Sequence, residues 1–143
     1  MRYVLVSACL MGVNCKYSGG NNACQACLDL LNRDDLCLIP VCPEQLGGLK
    51  TPRACAERVG SLVMNRNGED VTLQFRRGAE EALRISKQWQ CREAILKERS
   101  PSCGSSLIYD GNFSGTVIPG KGLTVELLEE NGIKIMSEFS IEL

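Results

Sequence analysis

Hydrophobic residues along the chain form two alternating kinds of segment. Short, unbroken apolar runs predict strands at residues 1–8, 36–41, 93–98 and 133–139. Apolar residues at helical spacing predict helices over 23–31, 71–89 and 124–131, the last ending at Gly132. A further short edge strand, 61–65, is expected to end at an Asn67-Gly68 turn. Strands that alternate with helices indicate an α/β fold with a mostly parallel sheet flanked by helices.

Length and charge narrow the class of protein. The 143 residues, 44% of them hydrophobic, suit a single domain over 1–143 with a real core. The net charge of -1 gives no electrostatic reason to expect binding to bulk nucleic acid or to a membrane surface. The first apolar run is too short for a signal segment or a membrane span, so we expect a cytoplasmic protein.

The chain has nine cysteines and no histidine, and these two counts restrict its possible chemistry most. In a reducing cytosol these thiols indicate metal binding or thiol chemistry rather than disulfides, and an odd number cannot all pair within one chain. The missing histidine excludes a Ser-His-Asp triad, a Cys-His pair and any histidine-ligated metal. A base in this protein therefore has to be a carboxylate, a lysine, a tyrosine or a metal-bound water.

Three of the cysteines follow predicted strands: Cys9, Cys42 and Cys103. Because parallel strands end at the same edge of a sheet, we expect these thiols to converge. A glycine or a proline lies near each of them, and turns of this kind expose N–H groups that should lower the thiol pKa towards the metal-binding thiolate. The alternative is three small buried cysteines, which is a common fate of free thiols.

Three thiolates without histidine point to zinc or to an iron–sulfur cluster. A structural zinc site usually draws on paired Cys-x-x-Cys ligands, and the chain has only one such pair, Cys24 and Cys27. A cluster accommodates ligands that are far apart in sequence. If three cysteines hold a [4Fe–4S] cluster, its fourth iron stays open and can bind sulfur.

Several short motifs carry a resemblance to a known family. They are Ser7-Ala8-Cys9-Leu10, Cys15-x-Tyr17-x-Gly19, Val41-Cys42-Pro43-Glu44, Gly47-Gly48-Leu49-x-Thr51-Pro52-Arg53, Lys97-x-x-Ser100-Pro101-Ser102-Cys103-Gly104 and Tyr109-Asp110-Gly111-x-Phe113-Ser114-Gly115. Together they resemble the thiouracil desulfidase family (TudS type), over nearly the whole chain. One departure is Ser18, where the family usually has aspartate.

The resemblance implies a Rossmann-like domain that binds a [4Fe–4S] cluster through Cys9, Cys42 and Cys103, with Cys15 as a competing ligand. It also implies non-redox removal of sulfur from 2- or 4-thiouracil or a thiouridine derivative, which gives a uracil-type product and hydrogen sulfide. Glu44 is then the general base or proton carrier, and Ser100 orients the water or the ring. The expected partner is a small thionucleobase or thionucleoside.

Lys97, Arg53 and Ser102 are the candidate substrate-binding residues. Lys97 and Arg53 have an alternative as ordinary ion-pair charges, and Glu44 as a cap of the turn that follows it. The Cys24 and Cys27 pair is interpreted as structural, and Cys37, Cys55 and Cys91 as packing residues. Two other functions stay open: a structural or interaction module that holds zinc or a cluster through cysteine, and a metal-free persulfide carrier.

Overall fold

The computed structural model describes residues 1–143, and its elements follow the alternation of strands and helices that the sequence predicts. The strands are β1 (Arg2–Ser7), β2 (Leu36–Val41), β3 (Ala56–Val59), β4 (Leu62–Asn65), β5 (Glu93–Leu96), β6 (Leu107–Tyr109), β7 (Val117–Pro119) and β8 (Lys134–Ser137). The helices are α1 (Gln25–Asp29), α2 (Pro43–Leu46), α3 (Thr72–Gln88) and α4 (Leu123–Glu130). Short 3₁₀ turns follow β1 (Ala8–Met11) and α1 (Leu30–Asn32).

The central sheet has the strand order β2-β1-β5-β8, and every pair in it is parallel. This confirms the predicted α/β class with a parallel sheet. The chain adds β2 on one side of β1 and β5 on the other, so the direction of winding reverses at β1. A reversal of this kind opens a crevice beyond the carboxyl ends of the strands, which is where α/β sheets bind ligands.

Apolar side chains cover both faces of the sheet. On one face, Leu5 of β1 packs in a cluster with Ala82 of α3 and Leu128 of α4. On the other face, Val4 and Val6 pack with residues of α1 and of the chain's last segment. Because β1 is buried on both sides, its side chains are apolar without alternation, as the sequence pattern predicts.

The predicted long helix forms as α3. Its buried residues recur at helical spacing and form one stripe: Thr72, Phe75, Gly78, Ala79, Ala82 and Ser86. No helix of the protein joins the length and the apolar character that a membrane crossing requires.

Several short elements differ from the sequence prediction. The strand predicted at 61–65 forms as β4, but it pairs with β3 in a separate hairpin and is not an edge of the central sheet. The hairpin of β6 and β7 and the helix α2 were not predicted either, because three or four residues are too few to show a period. The helix predicted at 23–31 is regular only over α1 and then tightens into a 3₁₀ turn.

Two glycines, Gly47 after α2 and Gly78 in α3, let the backbones of these elements lie directly against each other. A Cβ atom on Gly47 would overlap the carbonyl oxygen of Gln74, and one on Gly78 would overlap that of Pro43. The two backbones therefore touch directly, with no side chain between them. This contact sets the position of the turn that carries Cys42, Pro43 and Glu44.

Candidate functional site

The ends of three neighbouring strands deliver three cysteines to one cavity of about 620 Å³. Cys9 lies in the 3₁₀ turn after β1, and Cys42 follows β2 as the residue before α2. Cys103 lies on the loop after β5. All three line this cavity, so the structure brings together the residues that the sequence placed at strand ends.

The loop that carries Cys103 is longer than predicted, because β5 ends at Leu96. Glu98 holds this loop in shape. Its Oε1 accepts the N–H groups of Ser105, Ser106 and Leu107 at 2.9, 3.0 and 3.1 Å, and its Oε2 accepts the hydroxyls of Ser105 and Ser106 at 3.0 Å. Burial raises the pKa of this carboxyl, but the donated hydrogen bonds outweigh burial and lower the pKa to about 2.

This carboxylate makes folding stability depend on pH. The pKa of Glu98 is about 2 in the folded protein against an ordinary value of 4.5, so its contribution is present above pH 4.5 and is lost as the pH falls towards 2. Between pH 6 and pH 3 we expect the free energy of unfolding to fall by about 2 kcal/mol more in the wild type than in Glu98→Gln. Urea unfolding of both cluster-free proteins at the two pH values measures the difference. An equal loss of unfolding free energy in the two proteins would contradict the prediction.

Burial acts against ionisation of three thiols at the cavity, contrary to the expectation of a lowered pKa. Burial raises the pKa of Cys9, and it raises that of Cys15 and of Cys103 to about 12. Hydrogen bonds from Asn22 to Cys9 and from Ser102 to Cys103 work in the opposite direction but are weaker. A metal that binds here therefore has to displace the thiol protons, as metals bound by cysteine do.

Glu44 lies beside these thiols with both carboxylate oxygens held. Arg53 Nε donates to Oε1 at 3.1 Å, and Ser102 Oγ donates to Oε2 at 3.1 Å. The carboxylate makes no hydrogen bond that caps α2, so the capping alternative does not describe it. Ser102 Oγ also lies 3.5 Å from Cys103 Sγ, which places an acid–hydroxyl pair against a thiol.

Ser100 and Ser102 are linked through their hydroxyls at 2.8 Å. Ser100 Oγ in addition accepts the N–H groups of Ser102 and Cys103, each at 3.1 Å. Both serines line the cavity. Ser102 is the one that contacts Glu44, and Ser100 shapes the turn that presents it.

The two candidate cations, Arg53 and Lys97, both line the cavity and both form ion pairs. Arg53 pairs with Glu44, and Lys97 Nζ lies 2.9 Å from Oε2 of Glu138, with a hydrogen bond to the Glu98 carbonyl at 3.0 Å. These contacts favour the ion-pair alternative for both residues.

Cys15 also lies at the cavity, buried to 1% exposure. Its carbonyl accepts the Cys42 thiol at 3.7 Å, and the two thiols interact. Cys55, interpreted from the sequence as a packing residue, lines the cavity too. Cys24 and Cys27 do not line it; Cys27 is buried in the core, and the pKa of its thiol is raised by burial and by a hydrogen bond with Cys24.

Sequence reasoning missed three acidic residues that shape the cavity wall. They are Glu57, Glu98 and Glu138. The carboxylate of Glu57 accepts the N–H groups of Gly111 and Phe113 at 3.0 and 3.1 Å. Glu57 thereby holds the Gly-rich segment after β6 against β3. A buried acid inside an apolar run is the one signal in the sequence that could have indicated such roles.

The arrangement of donors distinguishes one metal ion from a cluster. No group of three His, Cys, Asp or Glu side chains converges closely enough to hold a single metal ion. A zinc ion with bonds of about 2.3 Å would need such a group. A [4Fe–4S] cube does not, because each cysteine binds a different iron. Three cysteines spread around one cavity therefore fit a cluster.

Comparison with known proteins adds to this geometry. The model of the family described as 2-thiouracil desulfurase matches residues 4–140. Among solved structures, a [4Fe-4S]-dependent thiouracil desulfidase, TudS, is 42% identical, with a TM-score of 0.89 over 97% of this chain and 92% of that one. The protein YbbK of Bacillus subtilis (strain 168), described as uncharacterized, is 40% identical over 145 residues, which cover 94% of this chain and 95% of YbbK.

Proposed function

Because the chain belongs to the 2-thiouracil desulfurase family, we propose that it is a [4Fe–4S]-dependent thiouracil desulfidase. It removes sulfur from 2- or 4-thiouracil, or from a thiouridine derivative, and gives a uracil-type product and hydrogen sulfide. The observation that carries the proposal is the convergence of Cys9, Cys42 and Cys103 on one cavity beside Glu44. The protein acts as one domain over residues 1–143, in the cytoplasm, where thiols stay reduced.

Cys9, Cys42 and Cys103 would hold the cluster, and Cys15 ranks behind them. When bound, the cluster supplies an open iron that acts as a Lewis acid on the thiocarbonyl sulfur. A carboxylate has about four lone-pair sites, and the Arg53 and Ser102 bonds occupy two of those on Glu44. The remaining sites accept a proton from the attacking water, while Ser100 orients the water or the ring.

The reaction consumes one water and exchanges no electrons. The oxygen of the water becomes the carbonyl oxygen of the pyrimidine, the C–S bond breaks, and the two protons of the water leave with the sulfur. Glu44 carries one of these protons. A cavity of about 620 Å³ matches the size of small-molecule sites, which supports a thiopyrimidine as the substrate.

Anaerobic purification and incubation with 2-thiouracil test the proposal. We expect about four irons and four acid-labile sulfides per chain, and equal amounts of sulfide and uracil released from 2-thiouracil. Zinc in place of iron would favour a structural module, and a metal-free protein that still accepts sulfur would favour a persulfide carrier. An iron-loaded protein that releases no sulfide would contradict the desulfidase.

A further inference from the structure

All three nitrogens of the Arg53 guanidinium are engaged by the protein itself. Nε donates to Glu44 Oε1 at 3.1 Å, and Nη2 donates to the carbonyl of Cys15 at 2.9 Å. Nη1 donates to Thr51 Oγ1 at 2.9 Å and to the carbonyl of Lys50 at 3.2 Å. The side chain is only 8% exposed. Four of its five N–H groups are therefore bound within the protein, and a single N–H of a nearly buried guanidinium is left for a pyrimidine carbonyl or a phosphate.

The same contacts fix the orientation of Glu44. One oxygen is held by Arg53 and the other by Ser102, so the carboxylate cannot turn about its last bond without breaking a hydrogen bond. Its side chain stays 17% exposed and lines the cavity. The unused lone pairs of Glu44 are thus aimed in one direction, as a general base requires.

Arg53 also joins this carboxylate to the loop of Cys15. Its backbone N–H donates to the carbonyl of Tyr17 at 2.8 Å, and its guanidinium binds the Cys15 carbonyl, which also accepts the Cys42 thiol. Lysine could not replace it, because an ammonium group is a point donor and lacks the planar fork that reaches several acceptors at once.

We propose that Arg53 is a positioning residue that aims the Glu44 carboxylate at the reacting water, and that it does not bind the substrate. This inference rests on the proposed function, and it assigns to Arg53 the orientation of the Glu44 carboxylate. It replaces the role in substrate binding that the sequence suggested for Arg53.

Kinetics of Arg53→Ala separate positioning from substrate binding. We expect kcat for 2-thiouracil to fall by about tenfold to a hundredfold, while KM changes by less than about twofold and the iron content stays at the wild-type level. Added guanidinium should restore part of kcat, whereas urea at the same concentration should not. Arg84→Ala, an exposed arginine on α3, is the control and should match the wild type. A raised KM with unchanged kcat would overturn the proposal.

A double-mutant cycle shows whether Arg53 acts through Glu44. In the Glu44→Gln background, Arg53→Ala should cause no further loss of kcat, because there is no carboxylate left to aim. Arg53→Lys, which keeps the charge, should fall between the alanine variant and the wild type. Losses that multiply independently in the double variant would overturn the proposal.

Calorimetric titration gives a readout that needs neither turnover nor cluster. Guanidinium should bind to Arg53→Ala and to neither the wild type nor Arg84→Ala, because only the first variant has a space lined by the former acceptors. Absence of binding, together with absence of rescue, would refute the positioning role. A wild-type protein that releases no sulfide while guanidinium still binds the variant would refute the proposed function and leave the contact geometry supported.

Discussion

Replacing Cys9, Cys42 or Cys103 with alanine should reduce the iron content from about four per chain to less than one and abolish sulfide release from 2-thiouracil. Each thiol is the sole protein bond to one iron in the proposed arrangement, so no neighbour substitutes for it without a change in geometry. Iron and acid-labile sulfide assays on anaerobically purified variants measure the first effect, and sulfide release measures the second.

Two other cysteines make this test specific. Cys91→Ala is the matched control, because Cys91 is as buried as Cys103, at 6% against 4% exposure, but lies in the core and not at the cavity. It should keep iron and activity. Cys15→Ala should also keep its iron. If Cys15→Ala lost the cluster while Cys42→Ala retained it, Cys15 would be the third ligand.

The Glu44→Gln variant should keep its iron and lose activity by about 10²- to 10⁴-fold in kcat. Glutamine has the shape of glutamate and still accepts the hydrogen bond from Arg53, while the hydroxyl of Ser102 can turn to accept from the new amide. The fold around Cys42 is therefore preserved, and what disappears is a group that can take a proton from water.

Steady-state kinetics with 2-thiouracil and an iron assay on the same samples measure this effect. Glu80→Gln, an exposed glutamate on α3, provides the control and should behave as the wild type. A Glu44→Gln enzyme with wild-type kcat would assign the proton transfer to another group. Loss of iron in this variant would instead show that Glu44 supports the cysteine site.

The sequence was sufficient for the elements that carry a clear apolar pattern. The strand at Leu36–Val41 forms at the predicted bounds, and β1 and α3 lie within one residue of theirs, because the strands show apolar runs and α3 repeats its apolar residues at helical spacing. Of the hairpin of β3 and β4 only the second strand was predicted, and the hairpin of β6 and β7 left no such pattern. Their short strands are half covered and held by carboxylates such as Glu57, whose partners are backbone groups far away in the chain.

At the site, the sequence was enough to group the candidate cysteines, but it was not enough to predict the contacts among the side chains around them. Cys9, Cys42 and Cys103 could be grouped because parallel strands end at one edge. The link between Arg53 and Glu44 could not be predicted, because it depends on which way a long side chain turns. The expected direction of the pKa shift was also wrong for Cys9 and Cys103, since it is set by how deeply the folded chain buries each of these sulfurs.

The close packing at Gly47 and Gly78 places a limit on how this cavity can be re-engineered. No side chain separates the two backbones at these positions, and a Cβ atom at either glycine would overlap a carbonyl oxygen and push them apart. Variants with a wider or narrower cavity are therefore to be sought at Phe113 and Phe139, which also line the cavity and carry neither a cysteine thiol nor the carboxylate of Glu44.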